Sequence, residues 1–260
     1  MQLKQHARQK NLQKTRLATA IVTLLLTTPL WATNGYFMHG IGTKNKVMAG
    51  AGLALLDDAI SVASNPATAL AAAGKYDLGI AVFSPSRQYE TTDSLYNGQG
   101  GTFTIGPNKI DSDNNYFYVP HMAGSWAIND RSAWAASFYG KGGMNTTWHG
   151  GTATFDPDGP GPAPVMTLPG TYGGGVVGNN GTAGVDLMQA YLEVAYAFSA
   201  TENITWGGSL VGVMALFSAR GLSAFAGYTE TFAASGGTVF PDNLTNNGHD
   251  QAYGLGAKLG

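Results

Sequence analysis

Apolar and polar side chains begin to alternate at Tyr76. Tyr76, Leu78, Ile80 and Val82 take turns with Asp77, Gly79, Ala81 and Phe83, the period of two that gives a strand two different faces. Residues 116–128 read as a second strand. Pro120 inside it marks an edge, a bulge or a kink, because proline has no N–H to give to a ladder. Asn129-Asp130 reads as a tight turn, and Trp134, Ala136 and Phe138 then share one face of a third strand over 133–139. The pattern is clearest at 187–198. Met188, Ala190, Leu192, Val194, Tyr196 and Phe198 fall on one face, with Leu187, Gln189, Tyr191, Glu193, Ala195 and Ala197 on the other. The chain turns at 200–203 and runs back over 204–217, with Trp206, Leu210, Met214 and Leu216 on one side. A sixth strand opens at Asp250.

One face of the 187–198 strand is apolar throughout and ends in two aromatics, while the other carries Gln and Glu. This predicts lipid outside and a lumen inside. At about 3.3 Å per residue, this strand and the next are long enough to cross a hydrocarbon layer even when tilted. The segments between strands read as long loops near 84–112, 141–184 and 218–249, on the extracellular side opposite the short turns. The 141–184 segment is rich in Gly and Pro and has no periodicity, so neither strand nor stable helix is expected in it. Residues 220–231 are apolar and read as helical.

The N-terminal end is different material. Residues 1–32 combine Lys4, Arg8, Lys10, Lys14 and Arg16 with a short apolar run over 17–30 and a cleavage point after Ala32, the layout of an export signal. Residues 33–73 are dominated by Gly and Ala. They cannot build a core alone and are expected to pack inside a container, as a small plug with one or two short helices over 47–73, the second capped by Asp57 or Asp58. Residues 74–260 would supply that container.

Composition sharpens this picture. Removing 1–32 takes away 5 of the 14 Lys and Arg and none of the 16 Asp and Glu, leaving 9 against 16, a charge of −7. An acidic exported chain is a poor nucleic-acid binder. Only 12% of residues are charged and 11% are aromatic, yet no apolar run of 18 follows the signal. That excludes an α-helical membrane protein and points to an all-β, transmembrane antiparallel β-barrel with a small N-terminal helical hatch. Known barrels carry at least eight strands and must close. Six strands therefore predict an incomplete barrel, with its remaining strands C-terminal to residue 260. The histidines lack metal-ligand spacing, Gly50-Ala51-Gly52 lacks the third glycine of a dinucleotide loop, and no nucleophile elbow is found. Neither cofactor nor catalysis is expected.

Several motifs carry a family resemblance. Gly35-Tyr36-Phe37 follows the cleavage point, then come Gly50-Ala51-Gly52-Leu53-Ala54, Asp57-Asp58-Ala59 and Asn65-Pro66-Ala67. Pro120 in an aromatic strand precedes Asn129-Asp130-Arg131, and Gly248-His249-Asp250 leads through Tyr253-Gly254 to Gly256. In these features the chain resembles the FadL/TodX family of outer-membrane transport proteins. The resemblance implies a fourteen-stranded barrel in the outer membrane of a Gram-negative cell, plugged by an N-terminal hatch. It also implies passive uptake of long-chain fatty acids or aromatic hydrocarbons, caught by extracellular loops and released sideways past a kinked strand. By position it puts Gly35, Tyr36 and Phe37 against ligand, and Asp58, Asn65, Pro66 and Ala67 in the hatch near the lateral exit. Phe217, Leu222 and Phe225, where a strand leaves the membrane, are further candidate ligand contacts. The expected partners are a hydrophobic small molecule and the surrounding lipid and lipopolysaccharide, around a monomeric barrel. A diffusion porin or a barrel-based adhesin is the alternative. A porin would want more charged lumen-facing residues than Asp77 and Glu193, and an adhesin would not need a hatch.

Overall fold

The computed structural model describes residues 35–54, 58–92, 103–106, 108–155, 161–162, 164–171, 182–239, 241, 245 and 247–260. The expected export segment and Asp57 lie outside the described residues. Six strands form one antiparallel sheet: β1 (Tyr76–Phe83), β5 (Phe117–Asn129), β6 (Ser132–Trp148), β9 (Ala183–Thr201), β10 (Ile204–Arg220) and β11 (Asp250–Leu259), in that order across the sheet. Two smaller sheets lie in the connections. One pairs β2 (Gln88–Thr91) with β4 (Asn108–Asp111); the other joins β3 (Phe103–Ile105), β7 (Thr152–Phe155) and β8 (Met166–Pro169).

The alternation read from the sequence is the alternation observed. On β9, Met188, Leu192, Val194, Tyr196 and Phe198 are exposed, while Glu193, Ala195 and Ala197 are buried. Leu78, Ile80 and Val82 on β1, Trp134 on β6 and Trp206, Leu210 and Met214 on β10 continue the exposed apolar face. Near the short turns this face carries a belt of rings. Trp126 stacks on Trp134 at 4.2 Å, Tyr76 meets Trp126 edge-on at 5.6 Å and accepts its indole N–H at 2.8 Å, and Trp134 pairs across to Tyr196. Amphipathic rings in a row suit a membrane interface.

Two expectations about the loops need correcting. The 141–184 segment is not strand-free: β6 runs on to Trp148, β9 starts at Ala183, and β7 and β8 lie between them. The 84–112 segment likewise contains β2, β4 and β3. With 17, 19 and 17 residues, β6, β9 and β10 are roughly 55–65 Å long, well beyond a ~30 Å hydrocarbon layer. Outside lipid, no face must be apolar, so the side-chain pattern fades. The backbone ladder continues regardless, here from Gly143↔Met188 to Trp148↔Ala183. The 218–249 segment follows the reading more closely, with β10 reaching Arg220, a 3₁₀ turn over Leu222–Tyr228 and a short helix over Glu230–Ala234.

The inner face of the sheet is covered by the described residues of the N-terminal segment, 35–54 and 58–74. These form α1 (Thr43–Val47), a 3₁₀ turn (Ala59–Ala63) and α2 (Thr68–Ala71). Asp58 does occupy the N-cap position of the 3₁₀ turn, but its side chain makes no capping bond. The core lies between this segment and the wall. Ile41, Ala59, Ile60 and Ala63 pack with Ala123 and Tyr139, while Val62 and Ala69 pack with Ala135, Ala195 and Ala197. Alanines on both sides let two backbones approach closely, which larger side chains would prevent.

Candidate functional site

The wall is interrupted between β5 and β6. The ladder from β5 to β1 continues through Pro120↔Ile80 to Phe117↔Phe83, but the ladder from β5 to β6 stops at His121↔Tyr139. Proline beside the stopping point has no N–H with which to extend it. Just beyond, β6 bulges: Lys141 and Gly142 together oppose the single residue Gln189, between Gly140↔Ala190 and Gly143↔Met188.

Residues 36–38 occupy the freed edge of β6. Met38 N–H donates to the Lys141 carbonyl at 3.2 Å, Gly143 N–H donates to the Tyr36 carbonyl at 3.0 Å, and Phe37 forms an antiparallel bridge with Gly142. The Tyr36 and Phe37 rings lie 4.4 Å apart, and the Lys141 ammonium sits 5.8 Å from the Phe37 ring centre. A Cβ at Gly142 would meet Phe37 at 3.1 Å and overlap the Gln189 amide, so glycine leaves room for both. Gly35, at φ 67, adopts the left-handed backbone as the chain enters this position.

A buried polar cluster ties the N-terminal segment to four strands. Glu193 on β9 has no solvent exposure. It accepts from Lys258 on β11 at 2.6 Å, Ser209 on β10 at 2.5 Å and Tyr139 on β6 at 3.0 Å. The Lys258 ammonium also donates to the Ala63 carbonyl at 2.8 Å and to Tyr139 at 3.0 Å. Tyr191 stacks on Tyr139 at 5.3 Å. The carboxylate is fully engaged, so Ser209 is a structural donor here and not an activated nucleophile. Glu193 was legible in the sequence only as a polar lumen residue. Lys258 gave no signal, since a single Lys in a short strand does not reveal its partner.

The remaining predicted residues are dispersed. Asn65, Pro66 and Ala67 pack against Gly207 and Gly260 at the short-turn end of β10 and β11, where a Cβ on either glycine would overlap them. Asn65 makes a local turn, accepting from Ala67 N–H at 3.0 Å and donating to the Leu53 carbonyl at 2.8 Å. This places the tripeptide away from the β5–β6 interruption. Asp58 faces Lys44 at 3.9 Å, with one buried carboxylate oxygen unpartnered. Phe217 lies on the inner-face parity of β10, two strands from β6 and one to two rows beyond the Gln189 level, through Phe217↔Leu187 and Ala215↔Gln189. Leu222 is exposed and Phe225 half-buried on the following 3₁₀ turn, where Phe225 meets Tyr228 at 6.4 Å.

A sheet with an apolar outer face, an aromatic belt and an inner face covered by a small-residue segment is part of the wall of a transmembrane β-barrel. No helix among the described residues is long and apolar enough to cross a membrane. The family model for outer membrane protein transport proteins (OMPP1/FadL/TodX) matches residues 24–157, and the chain belongs to that family. Its members are transport proteins of the outer membrane and not an enzyme family. No curated protein matches the chain.

Proposed function

We propose that the protein is a passive channel for hydrophobic small molecules, long-chain fatty acids or aromatic hydrocarbons, with its lateral exit at the interrupted β5–β6 ladder. The observation that carries this reading is the pairing of residues 36–38 to β6 where β5 leaves it. In this reading residues 1–32 are removed on export from the cytoplasm of a Gram-negative cell. Residues 33–73 are the hatch, and outer-membrane lipid and lipopolysaccharide surround a monomeric barrel. Phe217, Leu222 and Phe225 collect ligand at the extracellular side and pass it to Tyr36 and Phe37. Asn65, Pro66 and Ala67, with Asp58, hold the hatch while its N-terminal end moves.

The magnitudes permit such a step without an energy source. Releasing residues 36–38 breaks two backbone hydrogen bonds, a net cost of about 1 kcal/mol each where water can replace them. A ligand burying roughly 300 Å² of apolar surface gains about 7 kcal/mol before association entropy. The interior therefore needs only apolar surface and a segment held loosely enough to leave.

A disulfide tests the step directly. The chain contains no cysteine, and Phe37 and Gly142 form a non-hydrogen-bonded antiparallel pair, the kind whose Cα atoms lie about 4.5 Å apart. Cells lacking their own transporter and expressing the Phe37→Cys/Gly142→Cys protein will take up oleate or an alkylbenzene about tenfold more slowly when oxidised. Reduction will restore uptake, and neither single variant will change its uptake on oxidation. Undiminished uptake with the disulfide formed would refute lateral exit at this place.

A further inference from the structure

Arg87, in the stretch joining β1 to β2, has one edge with nothing to hold. Its carbonyl accepts from Ser112 N–H at 2.8 Å, and Ser112 in turn bridges to Trp148 at the end of β6. The guanidinium lies over Phe117, 5.1 Å from the ring centre, and Phe117 pairs with Phe83 at 6.3 Å between rings. The Nε and Nη2 atoms are closed to solvent and have no hydrogen-bond partner. These two nitrogens present their N–H groups side by side along one edge of the planar guanidinium, the edge that fits both oxygens of a carboxylate.

The nearby acids are already engaged. Asp111 accepts from Gln88 at 2.6 Å, and Asp113 faces His149 at 3.3 Å. Burial lowers the Arg87 pKa from its ordinary value, as expected for a cation stripped of water without an anion beside it. Two buried N–H groups with no acceptor are costly, and a group that makes good that loss will bind there. The location is also informative. Phe117 begins the part of β5 that has no ladder to β6, at the far end of the interruption from His121.

We propose that Arg87 recognises the carboxylate of an amphipathic long-chain acid at the mouth of the passage. The Nε and Nη2 edge takes the headgroup, and the chain lies along Phe117 and Phe83 towards residues 36–38. This rests on the passage proposed above and favours an acid over a neutral hydrocarbon as its cargo. The edge is closed in this state, so the 84–87 stretch shifts to admit the headgroup. Lysine would be a poor substitute, because an ammonium lacks the flat two-donor edge.

The test measures binding of oleate, oleyl alcohol and dodecyl phosphate to the full-length protein in nanodiscs of zwitterionic lipid, with empty discs subtracted. Arg87→Gln and Arg87→Lys will each weaken oleate about tenfold or more and leave oleyl alcohol within about twofold. Equal losses for oleate and the alcohol would show a structural role and overturn the proposal. Loss confined to dodecyl phosphate would assign the edge to a lipid phosphate and overturn it too. If Arg87→Gln does not fold, Arg87→Lys decides: parental oleate affinity in that variant refutes the two-donor grip. A parent protein that binds oleate no better than the alcohol removes this inference alone. One that binds neither removes the passage reading with it.

Discussion

Lys258→Met will destabilise the folded barrel by about 3 kcal/mol, read as a shift in the denaturant midpoint of the full-length protein refolded in micelles. The substitution leaves the Glu193 carboxylate without exposure and without the ammonium that donates to it at 2.6 Å. It also strips the Ala63 carbonyl of a donor. Removing one member of a buried pair costs about 3–5 kcal/mol, because the other charge stays desolvated. The lower end applies because the Lys258 side chain retains 28% exposure. Losing the other partner is milder. Glu193→Gln keeps one acceptor oxygen for Tyr139 and the ammonium, while its amide N–H can donate to the Ser209 hydroxyl, and the ammonium keeps Ala63, Tyr139 and part of its water. The double variant Glu193→Gln/Lys258→Met will therefore recover more than half of the loss caused by Lys258→Met alone. A single variant as stable as the parent would mean that water reaches Glu193 freely, and that the cluster does not hold the N-terminal segment to the wall.

Gly207→Val will dislodge the Asn65, Pro66 and Ala67 turn, whereas Gly208→Val will not. The neighbouring glycines face opposite sides of β10. A Cβ at Gly207 would overlap the backbone of Pro66 and Ala67, which cannot swing aside as a flexible side chain would. At Gly208 the nearest atom is Leu259 Cδ2, at an ordinary 3.8 Å, on the apolar outer face. Overpacking of this kind costs about 1–3 kcal/mol, and more where backbone must move. Gly207→Val cells will admit small polar antibiotics several-fold faster, because a displaced plug opens the lumen. Gly208→Val cells will match the parent. Equal permeability in the two would show that the turn is not what seals this end.

How much could be read in advance depended on which solvent each residue meets. The outer faces of β1, β9 and β10 were legible because lipid accepts only apolar side chains, so every second residue is constrained. The same requirement made the inner alanines of β9 visible as the other face. Where β6 and β9 leave the membrane, neither face meets lipid, and Gly143, Asn145 and Thr146 read as loop although they lie in a continuous ladder. The sheets formed by β2 with β4 and by β3, β7 and β8 escaped notice for the same reason.

The sequence by itself determined a strand-built wall with one lipid-facing side, a small-residue segment needing a container, and a proline that would break a ladder. Each follows from local chemistry: period-two alternation, the inability of Gly and Ala to form a core, and the missing N–H of Pro120. Only the tertiary structure decided what meets what. It put residues 36–38 on the edge that Pro120 leaves open, residues 65–67 against Gly207 and Gly260, and Lys258 on Glu193 and the Ala63 carbonyl. These partners lie 65 to 195 positions apart in the chain. No local preference links them, and they come together only once strand order and register are fixed.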